Sequence, residues 1–209
     1  MKVYQTNEIR NIALVGGAKA GKTTLAECIL FEGGVISRRG SVDDKNTVSD
    51  YRQIEIERQN SVTSTVMYAE YKGKKINIID CPGMDDFVGE VVAALKVADT
   101  AMMVINAQNG VEVGAEIAWR YTSRDDKPVV FVVNHLEHDN SNFDETLRQL
   151  KAQFGPKVTV VQYPVNAGVG FNSIIDLTKM KMLKFPENGG APELLDIPAS
   201  EQAKAEELQ

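Results

Sequence analysis

Cysteine is scarce in this sequence: 209 residues contain only Cys28 and Cys81. They form no Cys-x-x-Cys pair and cannot build a disulfide framework. Residues 1–8 carry no apolar secretory core, and no apolar run approaches the length of a membrane span. Basic charge is also in short supply, with 23 Lys plus Arg against 29 Asp plus Glu and a net charge of −6. Phosphate-backbone affinity comes from clustered Lys and Arg, so a free-standing DNA binder is excluded, while a ribonucleoprotein partner met through a local patch is not. Internal repeats are absent. With 43% apolar residues the chain can build a real core. A soluble, cytoplasmic, monomeric protein that avoids membranes is expected.

Short β-branched runs alternate with longer helical patterns. The runs are Ile12 to Val15, Ile76 to Ile79, Met102 to Ile105, Val129 to Val133 and Val158 to Val161; helices are expected over Thr23 to Phe31, Phe87 to Ala98, Glu112 to Ser123 and Phe143 to Phe154. Strands buried on both faces read as continuous Val/Ile runs, and this alternation predicts an α/β fold with a mostly parallel sheet and helices on both faces. Val62 to Tyr71 also reads as a strand, and Lys72-Gly73-Lys74 joins it to the Ile76 run. So short a turn links antiparallel neighbours, which predicts one antiparallel edge strand. Gly33 to Asp50 is a long polar loop without periodicity, the kind that is functional or mobile. Further on, Met180 to Phe185 reads as a strand, Pro186 to Pro192 as a turn and Glu201 to Gln209 as a helical stretch with no stop signal.

The strongest motif is Gly16-Gly17-Ala18-Lys19-Ala20-Gly21-Lys22-Thr23, which matches G-x-x-x-x-G-K-[ST] between a strand and a helix. The glycines let backbone N–H groups curl around phosphate oxygens, and the helix N-terminus adds its dipole. Lys22 is placed to neutralise the outer phosphates and Thr23 to ligate Mg²⁺. A glycine-rich turn with a solvated lysine is the bland alternative, which the flanking elements disfavour.

Asp80-Cys81-Pro82-Gly83 follows the Ile76 run. Asp80 at that strand end is suited to hold Mg²⁺ through a water, and the Gly83 N–H to bind a γ-phosphate oxygen. Asn134-His135-Leu136-Glu137 and Asn166-Ala167-Gly168 each follow a further run. In open α/β sheets ligands bind outside the carboxyl ends of strands, which gives these loops their positional value. His135 and His138 share one loop with no cysteine or third histidine beside them, so they read as solvated side chains rather than metal ligands.

Taken in order, these elements resemble the P-loop G domain of translational GTPases, specifically elongation factor G. Ile12 to Gly16 through Thr24-Leu25 resembles the family's first motif, and Asp80 to Gly83 with Asp86-Phe87 resembles its D-x-P-G-H-x-D-F. Asp50-Tyr51 and Arg58 to Ser64 resemble its switch I, and Ile174 to Leu177 with Lys179 to Lys181 resembles the start of its inserted subdomain. The resemblance spans about residues 8–200. It implies a G domain over 1–178 and the beginning of an inserted subdomain over 179–209, with the chain a piece of a longer factor. It further implies GTP or GDP with Mg²⁺, a ribosome as partner, and a nucleotide-dependent switch for translocation. Gly16 through Thr24, Asp80, Gly83, Asn134, His135, Glu137, Asn166, Ala167 and Gly168 would hold the nucleotide; Thr23, Ser61 and Asp80 would hold the metal.

The departures from the family are as informative. Its catalytic histidine, which orients the attacking water, falls on Met84, leaving Lys22 as the intact member of the catalytic pair. A thioether neither donates a proton nor holds a water as imidazole does. GTP hydrolysis is therefore expected to be slow or lost; a working GTPase using another group, or a ribosome-protection factor, is the alternative. In switch I, Arg58-Gln59-Asn60-Ser61 stands for Arg-Gly-Ile-Thr, keeping the hydroxyl and losing the glycine. In the base-reading motif Asn-Lys-x-Asp, His135 and Glu137 replace the lysine and the aspartate. Glu137 offers guanine the same carboxylate one methylene further out.

Overall fold

The structure is a computed structural model that describes residues 2–187 and 189–209. Asn188, inside the turn expected over 186–192, lies outside the described residues. The chain divides into two compact units: the residues up to Asn106 together with Val111–Asn134, and Ala107–Gly110 together with His135–Gln209.

The first unit carries a five-stranded sheet in the order β2-β3-β1-β4-β5. In chain order its elements are β1 (Ile9–Val15), α1 (Lys22–Glu32), α2 (Gln53–Arg58), β2 (Thr65–Tyr71), β3 (Lys74–Asp80), α3 (Val88–Val97), β4 (Thr100–Asn106), α4 (Val113–Arg124) and β5 (Val129–Asn134). β1 pairs in parallel with β3 and β4, and β4 in parallel with β5. β2 pairs antiparallel with β3, Tyr71 opposite Lys74. Its two-residue turn, Lys72-Gly73, has φ of 46° and 77°, the pair of positive values that matches strand twist in a tight hairpin. The antiparallel edge read from the sequence is therefore present.

Alternation along β1 explains how both faces fill. Leu14 faces α1, in a cluster with Ala26, Leu30, Met67, Ala69 and Ile78. Ala13 and Val15, fully buried, face the opposite side, where α3 contacts β1 and α4 contacts β4. Strands that bury both faces carry no polar alternation, which is why β1 and β4 stand out in the sequence.

The second unit holds α5 (Phe143–Phe154), then β6 (Gln162–Pro164), β7 (Ser173–Asp176), β8 (Lys181–Lys184) and β9 (Glu193–Leu195), and finally α6 (Ala199–Leu208). The four strands form an antiparallel sheet in chain order. Tyr163, Ile175, Leu177, Val160 and Ala205 make its core, with Phe143 and Leu147 of α5 packed against it. The strand expected over Val158 to Val161 is not one: those residues are outside any strand, and pairing begins at Gln162. Val160 is buried but Val161 is 56% exposed, and Val161 O accepts from Leu177 N–H, just past β7, at 3.0 Å. β-Branched composition favours extended backbone, but a strand also needs a ladder partner.

Candidate functional site

The loop between β1 and α1 is shaped by its glycines. Gly16 has φ 131°, and a Cβ there would lie 2.3 Å from Val104 O, so no other residue fits without moving β4. Gly21, at φ 97°, caps α1 at its N-terminus. Lys19 adopts φ 59° between them, while Ala20 is fully buried and Thr24 is exposed. Lys22 is 6% exposed, and its Nζ donates to Gly16 O at 3.1 Å and Gly17 O at 2.7 Å. Burial pushes the ammonium below its ordinary pKa, an effect opposed by the carboxylates of Asp80, Glu112 and Asp50.

Asp80, at the end of β3, is fully buried. Its Oδ2 accepts from Thr23 Oγ1 at 2.8 Å and from Ser49 Oγ at 2.6 Å, whereas its Oδ1 has no partner among the described residues. Ser61 Oγ lies 3.3 Å from Thr23 Oγ1 and donates to Asp50 Oδ1 at 2.7 Å. Thr23, Ser61 and Asp80 are thus brought into one cluster, joined by Ser49 and Asp50. Desolvation raises the pKa of both Asp80 and Asp50. A buried carboxylate oxygen without a partner is expensive, and this one sits among hydroxyl and carboxylate oxygens, the donor set of a hard cation. The residues fit Mg²⁺.

The segment after β3 returns to the phosphate loop. A Cβ on Gly83 would lie 2.4 Å from Lys22 Nζ and 2.7 Å from Ala18 N, so backbone lies on backbone here. Met84 follows, 39% exposed, on a cleft lined by Gly16, Pro82, Gly83, Val88 and Gly114. Cys81 is fully buried, and burial pushes its thiol up to about 12, far from a reactive thiolate. At the end of β5, Asn134 Nδ2 donates to Ala20 O at 2.9 Å and ties that strand to the loop.

The long loop before β2 is pinned by two buried carboxylates. Glu27, 1% exposed on α1, accepts from Gly40 N–H at 2.8 Å and Val48 N–H at 2.6 Å. Glu55, fully buried on α2, accepts from Val62 N–H at 2.9 Å and Thr63 N–H at 3.1 Å. Between them Ser49 and Asp50 are delivered to Asp80 and Ser61. Sequence reasoning missed Glu27, Ser49 and Glu55 in this role, and named Asp50 without one. Gln59 ends α2 with φ 52° and ψ 40°, the left-handed conformation that glycine adopts freely.

In the second unit the loops 135–138 and 166–168 meet. Leu136 O accepts from Gly168 N–H at 2.6 Å and from Ser141 Oγ at 2.9 Å. Gly168 has φ 102°, and Asn166 Nδ2 donates to Gly170 O at 2.9 Å, leaving Ala167 exposed at the bend. Glu137, its side chain 59% exposed, places Oε1 3.7 Å from His135 Nδ1.

A family model for the elongation factor Tu GTP binding domain matches residues 7–202. The chain belongs to this family. Within it this G domain is like that of elongation factor G: it is 36% identical over 200 residues to elongation factor G of Petrotoga mobilis, covering 95% of this chain and 29% of that protein. Elongation factor G of Mycoplasma pneumoniae is 37% identical over 184 residues, covering 88% and 26%. A crystal structure of a protein from Thermus thermophilus superposes with a TM-score of 0.90 at 31% identity, covering 96% of this chain and 30% of that one. The chain therefore spans less than a third of the length of these relatives. Among the described residues, no helix is long and apolar enough to cross a membrane.

Proposed function

We propose that this G domain is the guanine-nucleotide switch of an elongation-factor-G-like protein acting at the ribosome in translocation, and that it turns GTP over slowly. The observation that carries the reading is the cluster of Thr23 and Ser61 with the buried Asp80, Ser49 and Asp50, beside the buried Lys22, with one Asp80 oxygen left unpartnered among the described residues.

Mg²⁺ bound there would neutralise charge on the outer phosphates. Thr23 and Ser61 would hold it through hydroxyl oxygens, and Asp80 through water. Lys22 and the N–H groups of the loop would bind phosphate. Gly83, packed on that loop, would register a γ-phosphate through its backbone N–H. Ser61 and Asp50 lie on the segment stapled by Glu27 and Glu55, so ordering that segment and completing the metal shell are one event. Glu137 would accept from the guanine edge, and Ala167 would donate its N–H to the guanine oxygen, a polar match adenine does not supply.

Hydrolysis needs a group that orients the attacking water, and Met84 stands where the family carries histidine. Its sulfur cannot relay a proton, so nucleotide occupancy would work as the signal with little turnover. Single-turnover phosphate release, measured with and without ribosomes, tests this. Bound GTP with little phosphate released is the expected result, and rapid ribosome-stimulated release overturns it.

A further inference from the structure

His135, Glu137 and His138, all in the second compact unit, each bring one ligand atom close to those of the other two. His135 Nδ1 and His138 Nε2 each lie 3.7 Å from Glu137 Oε1, and the three atoms fall within 4.8 Å of one another. At 3.7 Å the carboxylate oxygen is too far for a hydrogen bond to either ring nitrogen. The imidazoles do not stack flat; their centroids are 5.3 Å apart with a 43° tilt. A tetrahedral zinc ion with bonds of about 2.0–2.2 Å holds its ligand atoms roughly 3.3–3.5 Å apart, so the two His–Glu separations need to contract by only a few tenths of an ångström.

The backbone under the tripod is held in place. His135 takes φ 61°, a left-handed conformation uncommon outside glycine. His138 N–H lies 3.5 Å from His135 O, and Ser141 N–H donates to His138 O at 3.0 Å. Leu136 O is fixed by Gly168 N–H and the Ser141 hydroxyl. Two imidazole nitrogens and one carboxylate oxygen select a borderline-soft transition ion over Mg²⁺, which prefers oxygen throughout.

We propose that His135, Glu137 and His138 form a binding site for Zn²⁺, with a fourth position open to water. Sequence reading treated the two histidines as solvated because no cysteine or third histidine stands beside them. One consequence rests on the base-reading role given to Glu137 above: a carboxylate engaged by zinc cannot accept from guanine, so Zn²⁺ and guanine nucleotide would exclude each other.

The test is a Zn²⁺ titration of the 209-residue chain without nucleotide, in excess Mg²⁺, read by displacement of a chromophoric chelator. One equivalent is expected to bind, and Co²⁺ in its place should give visible d–d bands without thiolate charge transfer. His138→Ala and Glu137→Gln should each weaken binding by about tenfold or more, while Cys28→Ser should not. The Glu137 and His138 side chains are at least half exposed, so these variants should keep their circular dichroism. No uptake by the native sequence, or equal affinity in His138→Ala, overturns the site. A parallel titration of GTP with and without Zn²⁺ reads the competition separately: GTP affinity unchanged by bound Zn²⁺ overturns the coupling through Glu137.

Discussion

Glu27 offers a sharp test of how the switch segment is held. Both of its carboxylate oxygens are used, Oε2 by Gly40 N–H at 2.8 Å and Oε1 by Val48 N–H at 2.6 Å, and the residue is 1% exposed. Glu27→Gln keeps the shape but turns one acceptor into a donor that faces a backbone N–H. One charge-assisted bond is lost, about 1.5–3 kcal/mol. Glu27→Ala loses both bonds and leaves a cavity, about 3–5 kcal/mol. The loop can peel away and let water satisfy the freed N–H groups, so the loss is capped by the free energy that holds residues 40–50 down. Two readouts follow: urea unfolding for global stability, and amide exchange at Gly40 and Val48 with trypsin cleavage at Arg38, Arg39 and Lys45 for the loop. Faster exchange and cleavage in the order Ala, Gln, native is expected. A stability change under about 0.5 kcal/mol with an unchanged cleavage pattern would refute the reasoning.

Three further outcomes are expected. Gln59→Gly should stabilise the chain by about 0.5–1 kcal/mol in urea melts, because a side chain at φ 52° carries strain that glycine does not; destabilisation would show the side chain contributes more than the strain costs. Asp176 is buried and accepts from the Thr178 hydroxyl, the Gln162 amide and the N–H groups of Thr178 and Lys179, with the Thr178 bond chief among the causes that hold its carboxyl below the usual range. A depressed folded pKa stabilises above the unfolded value of about 3.9. Asp176→Asn should therefore cost about 1–3 kcal/mol at neutral pH, and the gap should close as pH falls below about 4; a pH-independent gap contradicts the assignment. Met84→His should raise ribosome-stimulated phosphate release by about tenfold or more if the missing imidazole is what limits hydrolysis, and no change would place the limitation elsewhere.

The legible parts of the sequence were those whose cause is local. Ile12 to Val15 and Met102 to Ile105 announce buried central strands because both faces are apolar, and Lys72-Gly73 announces its hairpin because few turns close so tightly. The phosphate loop is contiguous, so its chemistry is written in adjacent letters. Val158 to Val161 has the same lettering as a strand but lacks a ladder neighbour, something composition does not encode. α2 was missed because Gln53–Arg58 is short and polar, closed by a capping interaction of Glu55 with the Arg52 N–H. Glu27 meets Gly40 and Val48 at separations of 13 and 21 residues, and no local pattern marks a carboxylate whose partners are distant backbone amides. Ser49, and the role of Asp50, were hidden for the same reason: they act only once that loop is folded back onto Asp80.

The central claim is that this chain binds guanine nucleotide with Mg²⁺ and that the cluster around Asp80 holds the metal. Equilibrium titration of the chain with GTP, GDP and ATP, each with Mg²⁺ and with chelator, tests it directly. GTP and GDP should bind in a Mg²⁺-dependent manner and at least about tenfold tighter than ATP, a difference of about 1.4 kcal/mol. Binding of ATP equal to that of GTP, or affinity indifferent to Mg²⁺, would contradict it.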